Sequence, residues 1–102
     1  MTRETFDGLA AEHLGRPGVT FGRIWHNEGL KVNGRIYAML VRDRLVVKLP
    51  AAQAAELNAN GRGVPFEPSP GRRMKEWVAV ADPAGWRDLM DDAGLYVGGL
   101  TT

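Results

Sequence analysis

Residues 30–49 read LKVNGRIYAMLVRDRLVVKL and carry the clearest structural signal in the chain. Asn33-Gly34 stands between two apolar runs, and this pair is typical of a two-residue hairpin because both turn positions need a positive φ. Asp43-Arg44 is expected to form a second short turn. Ile36–Val41 is apolar without alternation, which indicates a central strand buried on both faces, or one covered by a helix on one side and by aromatic residues on the other. The stretch therefore predicts a three-stranded antiparallel meander.

Three helices are predicted around this meander. Residues 2–15 place one apolar stripe at helical spacing, made of Phe6, Leu9, Ala10, His13 and Leu14. Residues 51–60 are alanine-rich and follow a proline, which fits the first turn of a helix. Residues 83–97 repeat the helical spacing after an Asp-Pro start. Because His13 lies on the apolar stripe, we expect it to pack in the core rather than to bind a ligand.

Two further strands complete the predicted fold. Residues 64–67 fit a short edge strand, and residues 74–81 resume a strand pattern. Together these elements predict one α+β domain over residues 1–102, in which helices pack on an antiparallel five-stranded sheet in two layers, in the order α-β-β-β-α-β-β-α. Residues 20–27 fit either a bent extension of the first strand or an ordered loop, and the sequence does not decide between them.

The composition is that of an ordinary globular domain, since 44% of the 102 residues are hydrophobic and 25% are charged. Cysteine is absent, which excludes disulfides, thiol catalysis, iron–sulfur clusters and zinc–thiolate sites. No apolar run approaches the roughly 18 residues that span a membrane, and the acidic N-terminus is not that of a signal peptide. We therefore expect a cytoplasmic protein with no membrane partner.

The net charge of +1 hides an uneven distribution along the chain. Residues 16–75 carry a net charge of +7, whereas residues 1–15 carry −2 and residues 76–102 carry −4. A basic middle segment of this kind can present a positive face to an anion such as nucleic acid. It can equally pair with the acidic helices across one solvated surface, and both readings stay open.

A search for reactive groups finds no catalytic constellation. His26-x-Glu28 resembles half of a zinc deaminase motif, but that chemistry needs a cysteine pair. Ser69 stands between two prolines, without the strand-to-helix elbow of a nucleophilic serine. Gly61-Arg62-Gly63 lacks the third glycine of a dinucleotide site. The sequence thus predicts a domain that is not an enzyme and that uses no metal and no cofactor.

The best functional candidates are cationic side chains near predicted hairpins and loops. As a group they are expected to contact phosphates weakly and without sequence preference; they are Arg35, Arg42, Arg44, Lys48, Arg62, Arg72, Arg73 and Lys75. Four aromatic residues would stack on bases if they were exposed and would belong to the core if they were not: Trp25, Tyr37, Phe66 and Trp77.

Residues 29–39, GLKVNGRIYAM, resemble the signature of the TfoX N-terminal domain family. The resemblance continues through residues 43–50, Gly61, Pro65-Phe66, residues 74–78 and the helix at Trp86, and it covers roughly residues 20–97. The MmcQ/YjbR family is the nearest alternative. The Met-Phe-Gly run often found before the first strand in TfoX-like domains is replaced here by residues 24–29, IWHNEG.

The resemblance implies a two-layer YjbR-like fold and a role in transcription regulation, in particular of competence, where a second, C-terminal domain accompanies this one in family members; these 102 residues hold only the first. YjbR-type proteins have been proposed to bind DNA through paired hairpin wings. By this resemblance, the wing tips here would be Asn33-Gly34 and Asp43-Arg44.

The sequence is therefore compatible with three functions. The first is a non-enzymatic regulatory domain that contacts DNA through a basic hairpin surface. The second is a protein–protein interaction module or a homodimer, formed through an open sheet face or edge. The third is a small-molecule pocket between the sheet and the helices, near Trp25, His26 and Glu28.

Overall fold

A computed structural model describes residues 2–24, 27–67 and 74–100. These residues form three α-helices and six strands, in the order α1 (Thr2–His13), β1 (Val19–Ile24), β2 (Asn27–Val32), β3 (Arg35–Val41), β4 (Arg44–Lys48), α2 (Ala51–Ala59), β5 (Val64–Pro65), β6 (Trp77–Val80) and α3 (Trp86–Leu100). A short 3₁₀ turn, Pro83–Gly85, leads into α3, and the Asp82 side chain accepts a hydrogen bond from the backbone N–H of Ala84 at its start. The α+β class predicted from the sequence is confirmed.

The strands form one antiparallel sheet in the order β1-β2-β3-β4-β6-β5. The prediction of five strands was one short, because Val19–Ile24 is a strand of its own that pairs with β2 from Val19↔Val32 to Ile24↔Asn27. The element order is accordingly α-β-β-β-β-α-β-β-α, with four strands before α2. Trp25 and His26 separate the two strands in sequence, and neither is a residue type that signals a hairpin turn.

Both hairpins of the predicted meander form, but the second one is displaced by one residue. Asn33 and Gly34 have φ values of 51° and 84°, as the Asn-Gly signal predicts. The second turn lies on Arg42 and Asp43, with φ values of 50° and 65°, rather than on Asp43-Arg44. Val41 pairs with Arg44 across it, so Arg44 is the first residue of β4.

A β-bulge in β3 explains why its apolar run does not alternate. Leu30 pairs with Ala38 and Lys31 pairs with Ile36, so Tyr37 has no partner on β2. A bulge turns two consecutive side chains toward the same side of the sheet. Tyr37 and Ala38 are both fully buried in the cluster beneath the helices. The extra residue therefore brings an aromatic ring under the helices without ending the strand.

The main core fills the space between the helices and one face of the sheet. Phe6, Tyr37 and Trp86 are completely buried there, and the Trp86 Nε1–H donates a hydrogen bond to the Val80 carbonyl at 3.1 Å. Leu14 was predicted to join this core, but α1 ends at His13 and Leu14 is 44% exposed.

A chain of polar contacts, buried at Tyr37 and His13 and reaching the surface at Asp91, ties α1, β3 and α3 together. The Tyr37 hydroxyl lies 2.7 Å from His13 Nδ1, and His13 Nε2 lies 3.2 Å from Asp91 Oδ1. Burial raises the pKa of Tyr37 to about 12, so its hydroxyl keeps its proton and donates to Nδ1. Burial also lowers the pKa of His13, which favours a neutral ring that donates from Nε2 to Asp91. The predicted packing of His13 in the core is confirmed.

The opposite face of the sheet holds a second, smaller apolar cluster. Met39, Val46 and Ala79 are buried at its centre, and Phe66 and Trp77 pack against them half-buried. Of the two readings of the apolar strand, the one with a helix on one side and aromatic residues on the other is confirmed. We call this surface, opposite the helices, the open face.

We expect Tyr37→Phe to lower the free energy of unfolding by about 1–3 kcal/mol, because it leaves His13 Nδ1 buried without a donor. Urea denaturation followed by circular dichroism measures the loss. Tyr96→Phe is the matched control, since Tyr96 donates at 2.9 Å to Glu76 in a partly exposed position and should lose less than about 0.5 kcal/mol. A loss in Tyr37→Phe as small as the loss expected for the control would show that the hydrogen bond to His13 adds little to stability.

Candidate nucleic-acid interface

Charge is divided between the two layers of the fold. The three α-helices carry two arginines and seven carboxylates, whereas the six strands carry five cationic residues and one carboxylate. The uneven charge of the sequence thus becomes a separation in space, with an acidic helical layer and a basic sheet.

The cations at the helical layer are engaged by carboxylates. Arg87 pairs with Glu12 through both guanidinium nitrogens, at 2.6 and 3.0 Å, and it holds the pKa of that carboxyl below its usual value. Arg16 lies 2.9 Å from Asp91, and Arg3 contacts both Asp7 and Glu28. This part of the surface matches the reading in which basic and acidic residues neutralise one another.

Three of the five cations in the strands lie on the open face, because side chains alternate along a strand. Val46 belongs to the open-face cluster, so Arg44 and Lys48 on either side of it in β4 point the same way. Lys31 pairs with Ile36, which packs against the same cluster. Lys48 lies 3.9 Å from Glu76, a long ion pair where β4 ends and β6 begins.

A pocket of about 790 Å³ opens on this face at the β3–β4 turn. Val41, Val46 and Ala79 supply its apolar lining, and its polar lining includes Arg42 and Arg44. Phe66 and Glu67 line the part contributed by the segment after β5. The volume falls within the range of pockets that hold small organic ligands. Neither Arg42 nor Arg44 forms an ion pair with any residue that the structure describes.

Arg42 occupies a backbone conformation that glycine or asparagine would adopt at lower energy. Its φ of 50° lies in the left-handed region, which costs an ordinary L-residue about 1 kcal/mol. The neighbouring hairpin uses Asn33-Gly34 for the same geometry. Strained positions of this kind are found preferentially at functional sites. An arginine at this strained backbone position places its side chain at the pocket, beside Arg44.

The predicted site residues are only partly brought together. Arg42, Arg44 and Lys48 lie at or around the open face, whereas Arg35 pairs with Val32, whose side chain belongs to the helix-side core, roughly 20 Å along β3 from Arg42. Arg62 lies against Gly85 in a separate pocket with Glu56, Asp88 and Asp92. Lys75 is exposed just before β6, and Arg72 and Arg73 lie outside the described residues.

The four aromatic residues considered for base stacking do not lie together in the structure. Tyr37 is fully buried in the helix-side core and cannot stack on a ligand. Phe66 and Trp77 are half-buried on the open face, with ring centroids 6.5 Å apart and planes inclined by 53°. Trp25 and His26, which were expected at a pocket between the sheet and the helices, lie outside the described residues. Glu28, the third residue of that prediction, pairs with Arg3.

Several pocket residues were missed by the sequence analysis. Val46, Ala79 and Val64 have no polar or ionisable side-chain group, so the sequence gives no reason to assign them to a site. Only the pairing of β4 with β6 and of β5 with β6 brings them side by side. The spacing Arg44-x-Val46-x-Lys48 was a usable signal, since alternation puts these three residues on one face of any strand.

No protein-family model, curated protein sequence or solved structure matches this chain. Within residues 2–24, 27–67 and 74–100, no group of three or more His, Asp or Glu residues is placed to hold a metal ion. None of the helices in this part of the chain has the length and apolarity needed to cross a bilayer.

We expect Arg42→Gly to raise the free energy of unfolding by about 0.5–1 kcal/mol, because glycine adopts a positive φ without steric cost. Arg35→Gly makes the same chemical change within a strand and should instead lower stability by a similar amount. Urea denaturation compares the two variants. A loss of stability in Arg42→Gly as large as that in Arg35→Gly would contradict the strain at the turn.

Proposed function

We propose that this chain is a small non-enzymatic regulatory domain that binds nucleic acid through the open face of its sheet. The observation that carries the proposal is the position of Arg42 and Arg44, which line a pocket of mixed polar and apolar character and have no carboxylate partner among the described residues. Elsewhere on the molecule the arginines of the helical layer are paired.

Electrostatics supports a phosphate-rich partner. Arginine binds phosphate through two parallel N–H donors, and its affinity for a polyanion comes largely from the release of counterions. The acidic helices on the other side repel the same polyanion, so the molecule presents one preferred side to it. The cations on or beside the open face are Lys31, Arg42, Arg44 and Lys48, and the last of these is paired with Glu76. With so few cations, binding should be weak, with a dissociation constant on the order of 10⁻⁴–10⁻⁶ M, and strongly dependent on salt.

The resemblance to TfoX N-terminal domains supports the same proposal, including the regulatory role in transcription and competence. One feature departs from the arrangement of two equivalent wings. The β3–β4 turn carries Arg42 at its tip, whereas the β2–β3 turn carries the uncharged pair Asn33-Gly34. In our proposal the sheet surface beside the β3–β4 turn, rather than both tips, contacts the nucleic acid.

Reversing the charge of Arg42 and Arg44 together to Glu should weaken binding to a mixed-sequence oligonucleotide at least tenfold at low salt, since two phosphate contacts become repulsive. Fluorescence anisotropy at two or more salt concentrations measures the affinity and its salt slope. The control Arg35→Glu/Arg23→Glu has the same net charge, but its substitutions lie on residues that face the helix side of the sheet. If both double variants lose affinity equally, binding follows net charge and the open face has no special role.

A second candidate function is self-association through β1, which has only one neighbouring strand in the sheet. This strand has no proline and one charged residue, Arg23, and its Phe21 is 41% exposed. Edges of this composition are ready templates for pairing with a second copy.

Sedimentation velocity over a range of concentrations tests this candidate. A dimer is expected at high concentration, and Phe21→Lys should convert it to a monomer because a charge at the edge opposes strand pairing. Thr20→Lys, which adds the same charge on the other side of β1, distinguishes loss of the Phe21 contact from a general charge effect. A wild-type chain that stays monomeric at several hundred micromolar removes the candidate.

A further inference from the structure

We infer that the open face binds single-stranded nucleic acid in preference to a duplex, with an unpaired base in the pocket beside Phe66 and the adjoining phosphates on Arg42 and Arg44. This inference rests on the proposed function and narrows it to one class of ligand. It is carried by the shape and the chemistry of the pocket rather than by its charge alone.

The shape of the open face does not match a duplex groove. Base edges in B-DNA are reached by a helix or a two-stranded ribbon that enters the major groove. Here the three helices lie on the other side of the sheet, and the β3–β4 hairpin is flanked by β2 and β6 almost to its turn instead of projecting as a two-stranded ribbon. Both cationic and apolar groups of the open face surround a depression, so a ligand has to place a group into the protein.

The lining of the pocket suits a base better than a phosphate. Val64 is 46% exposed, and Val41 and Pro65 are half-buried, so this part of the lining offers apolar surface that a charged phosphate gains nothing from covering. An unstacked base is flat and largely apolar on its two faces, and it is buried favourably against such a surface. A duplex keeps its bases stacked and would leave the same apolar lining in contact with water.

Phe66 provides an aromatic surface at the pocket. Its ring is inclined by 53° to that of Trp77 at a centroid distance of 6.5 Å, so the two rings are not stacked face to face. Stacking on an aromatic side chain is the usual way in which proteins hold unpaired bases without sequence preference. Aromatic and cationic side chains in one groove are the combination that single-strand-binding surfaces share.

The charged groups at the pocket are arranged unequally around a base. Arg42 and Arg44 come from the β3–β4 turn, while Glu67 is contributed by the segment after β5, next to Phe66. Phosphates are attracted to the arginines, which directs the backbone of the strand along the β3–β4 turn.

The test compares three labelled ligands by fluorescence anisotropy: a 12-nucleotide oligo-dT, a 12-base-pair duplex of mixed sequence, and an abasic deoxyribose phosphate oligomer of 12 units. We expect oligo-dT to bind about tenfold more tightly than both of the others, because only it offers unpaired bases. Phe66→Leu keeps the side chain apolar and should reduce oligo-dT affinity about tenfold, with little effect on the abasic ligand. Phe21→Leu, on the opposite side of the sheet, is the matched control and should change neither.

The outcomes separate this inference from the proposed function. Equal affinity for all three ligands, unchanged by Phe66→Leu, overturns the single-strand inference and leaves a simple polyanion-binding face. Tighter binding of the duplex overturns it as well. Absence of binding to every ligand at low salt overturns the inference and the proposed function together. A polyglutamate competitor that displaces oligo-dT at equal charge concentration likewise counts against any role for bases.

Discussion

Tyr37 is an extra residue in β3, and its buried hydroxyl contacts the imidazole of His13, which in turn contacts Asp91. The bulge turns the ring toward the helices, and the hydrogen-bonded chain joins α1 and α3 to the centre of the sheet. Because side chains alternate along a strand, the register of β3 decides which residues face the helices and which face away. Ala38 and Leu40 are thereby buried under the helices, and Met39 and Val41 belong to the open face.

The distribution of charge follows from this register. In β4, pairing with β3 places Leu45 and Val47 under the helices and leaves Arg44 and Lys48 on the other side. The arginines in or next to the helices, Arg3, Arg16 and Arg87, each pair with a helix carboxylate, so the acidic layer neutralises little of the sheet's positive charge. Arg3 also engages Glu28 of β2. A small domain with a net charge of only +1 thus keeps a locally basic surface. Local arrangement, rather than net charge, supports an anionic partner.

Much of the fold could be predicted from the sequence, because helical periodicity and the Asn33-Gly34 turn are local signals. The sequence did not decide whether residues 20–27 form a strand or a loop, because Trp25 and His26 are not typical turn residues. The second turn was placed one residue late because Asp43 is a common turn residue, whereas pairing of Val41 with Arg44 puts Arg42 at a positive φ. Arg62 was grouped with the other cations, yet tertiary packing places it beside Asp88 and Asp92. The pocket depends on strand order, which no local pattern reveals.

The central claim is that the surface opposite the helices is the ligand-binding surface of this domain. Amide chemical-shift mapping by ¹⁵N–¹H NMR, during titration with a short single-stranded oligonucleotide, tests it residue by residue. We predict that the shifts that change most belong to Arg42, Arg44, Val46, Phe66 and Ala79, with the exposed sides of α1 and α3 unaffected. Changes that centre on the helices, or that spread evenly over all cationic residues, would contradict the account.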